Sequence, residues 1–91
     1  GFEGLTSVVA QTKTDVTAGD YATAKTNFDR FEEYWSQVED GVKAKDSDAY
    51  DSIEENADKV TEELKQSQPN KDQVLSTLNM LEQEVSTAAK Q

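Results

Sequence analysis

Ala24-Lys25-Thr26-Asn27-Phe28-Asp29-Arg30-Phe31-Glu32-Glu33-Tyr34-Trp35-Ser36-Gln37-Val38-Glu39-Asp40-Gly41-Val42 places Ala24, Phe28, Phe31, Trp35, Val38 and Val42 at steps of 4, 3, 4, 3 and 4. An apolar residue every 3.5 positions over nearly three heptads is the seam of a helix lying along another helix. The spacing predicts one helix over about Tyr21 to Ala44. Gly41 interrupts it at a cost of roughly 1 kcal/mol relative to Ala, either merely tolerated or used for a close backbone approach.

The same periodicity continues on both sides. Upstream, Phe2, Leu5, Val9, Thr12 and Val16 predict a shorter first helix, about residues 2–17, whose threonines are weak helix formers. Gly19 suits the left-handed position after a helix, and Asp20 suits the cap of the next. Downstream, Tyr50, Ile53, Ala57, Val60 and Leu64 predict a third helix over about 47–66, capped by Asp46 or Ser47. Pro69 closes it, and Asn70 with Gln73 forms a capping-box signature for a fourth helix over about 71–90. Val74, Leu78, Leu81, Val85 and Ala88 are its seam, widened by Leu75.

Four amphipathic segments with short connections imply an all-α, antiparallel up-down four-helix bundle with a shorter first helix, in one domain spanning 1–91. A three-helix bundle with a loosely attached first segment is the structural alternative. No alternating run bounded by turn residues predicts a strand.

Composition narrows the chemistry. Nineteen acids against nine bases give a net charge of −10, which opposes nucleic acid and anionic lipid and favours cations or basic partners. The absence of cysteine and histidine removes disulfides, thiolate metal sites and the commonest general base. Any metal must be held by oxygen. Ser36, Ser47 and Ser52 have no histidine to activate them, and no glycine-rich phosphate loop exists, so the expectation is a non-enzyme. No apolar run approaches the roughly 20 residues of a spanning helix. The fragment is expected to be soluble, without direct membrane insertion, and its start at Gly1 looks like a cut boundary.

The seams also position acids. With Phe28, Trp35 and Val42 at heptad position a, Lys25, Glu32 and Glu39 fall at e. With Tyr50, Ala57 and Leu64 at a, Glu54 and Thr61 fall at e. Antiparallel packing brings e flanks together, and a turn near Asp46 sets Glu39 beside Glu54. Two facing carboxylates need a proton, a lysine or a metal between them. One reading is an ion pair with Lys43 or Lys45; the other is an oxygen-only cation site led by Glu39 and Glu54. Asp46, Glu32 or Tyr50 would support it. Because Glu32 is two turns from Glu39, it is expected at a second or transient position. A further row, Asp51, Glu55, Asp58 and Glu62, reads as a solvated face or a surface for a basic partner. Phe28, Phe31 and Trp35 read as core, whereas Tyr34 at the flank is freer to meet a partner.

Trp35-Ser36-Gln37-Val38-Glu39-Asp40-Gly41-Val42-Lys43-Ala44-Lys45-Asp46, followed by Tyr50 and Ile53-Glu54, resembles the soluble extracytoplasmic helical region attached to some bacterial FTR1-type iron permeases. Gly19-Asp20-Tyr21 and Ala24-Lys25 fit the same resemblance, which spans Gly19 to Leu64. It implies a periplasmic or otherwise extracytoplasmic domain beside an iron permease, with iron or another divalent cation and the permease's membrane domain as partners. Glu39, Asp40 and Glu54 are the matching acids. The permease's own Arg-Glu-x-x-Glu motif is absent, so the resemblance does not imply transport activity in this fragment.

Overall fold

Each apolar seam turns one side of its helix inward, and the buried sides meet in a single core. The computed structural model describes every residue, Gly1–Gln91, and is all-helical. Its elements are α1 (Phe2–Thr17), α2 (Tyr21–Phe28), α3 (Phe31–Lys45), α4 (Ser47–Leu64) and α5 (Lys71–Ala89). No helix is long and apolar enough to cross a membrane.

Short polar side chains start three of the helices. Asp20, Asp46 and Asn70 accept from the backbone amides of Thr23, Ala49 and Gln73 at 3.2, 3.0 and 3.1 Å. Each satisfies one of the amides that a helix start leaves without an intrahelical partner. Asp46, rather than Ser47, is therefore the cap of α4. Only the Asn70 half of the expected capping box forms. Gly19 takes the left-handed conformation between α1 and α2, with φ 76°.

The helix expected over 21–44 is divided. At the break, the Asp29 amide still bonds Lys25 O, but the Arg30 amide bonds Asn27 O, three residues back. This tightened turn sets the Phe28 and Phe31 rings side by side, with centroids 5.2 Å apart and planes 18° apart. Asn27 and Asp29 are weak helix formers, and the Asn27 side-chain amide donates to Asp15 of α1 at 2.6 Å. A tertiary hydrogen bond thus stabilises a local departure that the apolar spacing conceals. The first helix is not the short one: α1 has 16 residues and α3 has 15.

The loosely attached first segment is also corrected, because α1 contributes Leu5, Val8, Val9 and Val16 to the core, none more than 2% exposed. Trp35 and Phe31 of α3 are the largest side chains buried there. Val38 and Tyr50 are only partly buried. Specific contacts set the neighbours: the Gly1 amino group donates to Gln37 at 3.0 Å, Lys13 pairs with Glu82 at 3.0 Å, and Asn56 donates to Glu84 at 2.8 Å. Consequently α1 lies against α2, α3 and α5, and α4 lies against α2, α3 and α5.

Tyr34 is not free. Its hydroxyl accepts from Arg30 Nη2 at 3.0 Å, and its ring covers Gly4 so closely that a Cβ there would lie 2.3 Å from Cδ1. Gly41 has nothing within 4 Å of such a Cβ, which removes close approach as its explanation. The two glycines should therefore respond oppositely in urea unfolding. Gly41→Ala should stabilise the protein by about 1 kcal/mol, the helix-propensity difference. Gly4→Ala should destabilise it through an overpacking cost of about 1–3 kcal/mol, and removing the ring with Tyr34→Ala should abolish that cost.

Candidate metal centre

Glu32 and Glu39 project from α3 and Glu54 from α4, all on one flank of the seam. Glu39 and Glu54 are half-buried and Glu32 is exposed, and one carboxylate oxygen from each lies within 4.8 Å of the other two. The e-flank register thus brings Glu39 to Glu54 as expected. It also brings Glu32 to the same point, against the expectation from its two-turn separation. Helical rise separates their backbones by roughly 10 Å, but two glutamate side chains leaning toward a common centre close that gap.

Glu54 is fixed from below. The fully buried Trp35 indole donates from Nε1 to Glu54 Oε2 at 2.5 Å. Tyr50 stacks on Trp35 with centroids 5.9 Å apart, one turn of α4 before Glu54. The carboxylates therefore sit on an aromatic floor, continued by Phe31 at 6.3 Å from Trp35.

No basic side chain neutralises the cluster. The expected Lys43–Glu39 pair is not made; Lys43 Nζ lies over the Tyr50 ring, 5.2 Å from its centroid. Lys45 Nζ donates to the Gln91 carbonyl at 3.1 Å. The protein's two ion pairs, Lys13–Glu82 and Lys65–Glu62, lie elsewhere.

Asp46 does not join the other three. Its carboxylate caps α4 and accepts from Gln91 Nε2 at 3.2 Å. The Ala49 amide, then the Gln91 side chain, hold its carboxyl below the ordinary value. Capping the helix and ligating an ion at Glu54 compete for the same short side chain, and the cap takes it.

The electrostatics follow from this geometry. Partial desolvation, and then the charges of Glu54, Glu39 and Asp58, push the Glu32 carboxyl up. Desolvation, followed by Glu54 and Glu39, likewise pushes up the Tyr50 phenol. Beyond desolvation, both groups feel the negative charge of Glu54 and Glu39. A cation there would remove the repulsion that a proton on Glu32 otherwise relieves.

Two oxygens in one coordination shell can be separated by at most twice the metal–oxygen distance. With Ca²⁺ distances of about 2.3–2.6 Å, the limit is about 4.6–5.2 Å. With Mg²⁺ at about 2.0–2.1 Å, it is about 4.0–4.2 Å. As a pairwise limit the 4.8 Å spread suits a larger hard cation. Three oxygens all at that separation would lie about 2.8 Å from a common centre, so the glutamates must draw inward slightly for Ca²⁺ and further for Mg²⁺.

Two buried polar residues, Glu63 and Thr77, are not signalled by the apolar spacing. Both occupy flanks of apolar seams, where a polar residue resembles a solvated one. Only the pairing of α4 with α5 reveals their contact. No family model, curated protein sequence or solved structure matches the chain.

The raised Glu32 carboxyl has a pH consequence with a definite sign. The fold favours its protonated form, so its destabilising repulsion is absent below the carboxylate range and develops as pH rises through its folded value. In cation-free buffer, Glu32→Gln should be more stable than the parent at neutral pH. That advantage should fade on acidification, as read from thermal unfolding across pH.

Proposed function

We propose that this domain holds a hard, oxygen-seeking cation between Glu32, Glu39 and Glu54. We further propose that it serves an iron-uptake permease as an extracytoplasmic accessory domain, binding iron or passing it on. The observation that carries the cation reading is the convergence of three carboxylates from two helices without a basic side chain among them. The iron and permease assignment rests on the resemblance of Gly19–Leu64. Its framework is an antiparallel up-down bundle, supported by the Trp35–Glu54, Asn56–Glu84 and Lys13–Glu82 contacts.

In this reading the glutamates supply charge and geometry alone. Trp35 holds one oxygen of Glu54 and so fixes that carboxylate beside Glu39 and Glu32. A half-exposed position allows an ion to arrive and leave, as a carrier of cargo requires. Iron is the cargo, not a resident catalyst.

A second reading is favoured by a separate observation. Asp51, Glu55, Asp58 and Glu62 are all exposed along α4. That face suits a basic protein partner, whose attraction salt would screen.

Calorimetry and paramagnetic NMR with ferrous, ferric and manganous ions separate the two readings. The wild type should bind at one site, with NMR signals broadened first at Glu39, Glu54 and Trp35. Glu39→Gln/Glu54→Gln should lose about tenfold or more in affinity, about 1.4 kcal/mol. Equal binding by both proteins, or none above nonspecific background, would contradict the cation reading.

A further inference from the structure

Lys43 stands beside the carboxylate cluster without joining it. It is exposed and belongs to neither ion pair of the protein. Its Nζ lies over the Tyr50 ring, 5.2 Å from the centroid, where the negative face of an aromatic ring attracts an ammonium. That ring is itself held in place. It stacks on the buried Trp35 with centroids 5.9 Å apart, and the Trp35 indole donates to Glu54.

Two places therefore compete for one ammonium. Lys43 follows Glu39 by four residues, one turn of α3, and Tyr50 precedes Glu54 by one turn of α4. A glutamate four residues before a lysine is the favourable order for an ion pair along a helix. The long, flexible lysine stem can rest its ammonium on Tyr50 or turn it back to Glu39. A cation–π contact and an exposed pair of this spacing are of similar strength, so a change at the ring shifts the choice. The choice matters to the cluster. An ammonium at Glu39 supplies positive charge to the facing carboxylates and engages an oxygen that a metal ion would otherwise use.

Resting on the reading that Glu32, Glu39 and Glu54 hold a cation, we propose that the Tyr50 ring is a perch that keeps the Lys43 ammonium off Glu39 and so leaves the cluster open to a metal ion. Tyr50 is then a positioning residue that acts through Lys43. Released from the ring, Lys43 is a tethered competitor for the site.

Manganous ion, whose EPR signal separates free from bound metal, tests the perch at constant neutral pH in wild type, Tyr50→Leu, Lys43→Gln and the double variant. Tyr50→Leu removes the ring face and should weaken binding about twofold or more, the factor supplied by an i,i+4 pair. In the Lys43→Gln background the same substitution should cost less, because the competitor is gone. General effects of charge and packing are common to both backgrounds and cancel in the cycle. Tyr50→Phe keeps the ring face and should escape the loss seen in Tyr50→Leu. In wild type, the Lys43 ε-methylene protons should show the upfield NMR shift of a group above an aromatic face.

An equal loss in both backgrounds overturns the proposal, and so does a loss in Tyr50→Phe as large as that in Tyr50→Leu. A Tyr50→Leu protein that binds like wild type also overturns it, the result expected if a released Lys43 pairs with the exposed Asp40 instead. Absence of the upfield shift overturns it without any variant. These results leave the cation reading intact, whereas a wild type that binds no manganous ion contradicts that reading and the perch with it.

Discussion

The buried indole of Trp35 needs an acceptor for its N–H, and Glu54 provides it. Much of the remaining architecture follows from this requirement. The bond ties α3 to α4 and fixes their register beneath the Tyr50 ring. It also holds the Glu54 carboxylate on the flank occupied by Glu32 and Glu39. Turning Glu54 away would strand a buried donor, at a cost of about 1–3 kcal/mol. Repulsion between carboxylates near 5 Å is about 1 kcal/mol in a water-like dielectric and about 3 kcal/mol at the effective dielectric of a protein surface. The two costs are of the same order, and the Trp35 bond holds Glu54 in the cluster against that repulsion.

Charge is distributed unevenly around this core. Between Phe31 and Leu64 there are twelve acids and three bases, a net −9 of the protein's −10. The α3–α4 hairpin therefore carries nearly all the field that would draw in a cation or basic partner. The packing of α5 on α4 uses neutral or internally satisfied polar contacts, such as Asn56 with Glu84. One side of α4 gathers unneutralised charge, while the other encloses Glu63 against Thr77.

The apolar periodicity and caps were legible because each depends on local spacing: Asp20, Asp46 and Asn70 occupy their helix starts, and the Glu39–Glu54 proximity follows from the seams. Other features depend on side-chain reach or on a third helix. Glu32 meets Glu39 because both side chains lean along the helix, which counting backbone turns does not reveal. Asp46 had two compatible roles in sequence, and only the Ala49 amide and Gln91 side chain distinguish them. The break before Phe31 draws on the Asn27–Asp15 bond, while the spacing from Phe28 to Phe31 suits both an unbroken and a tightened turn. Nothing in the spacing around Gly4 signals that the Tyr34 ring covers it.

The single tryptophan provides the most direct measurement of the central claim, that Glu32, Glu39 and Glu54 form one cation site on the Trp35 floor. Terbium is a hard, oxygen-seeking ion whose luminescence appears when an adjacent indole is excited. Wild type should show saturable terbium emission on excitation of Trp35. Glu39→Gln/Glu54→Gln should lose it, while Asp51→Asn/Asp58→Asn should retain it. Equal emission from all three proteins, or no sensitised emission from wild type, would contradict the account.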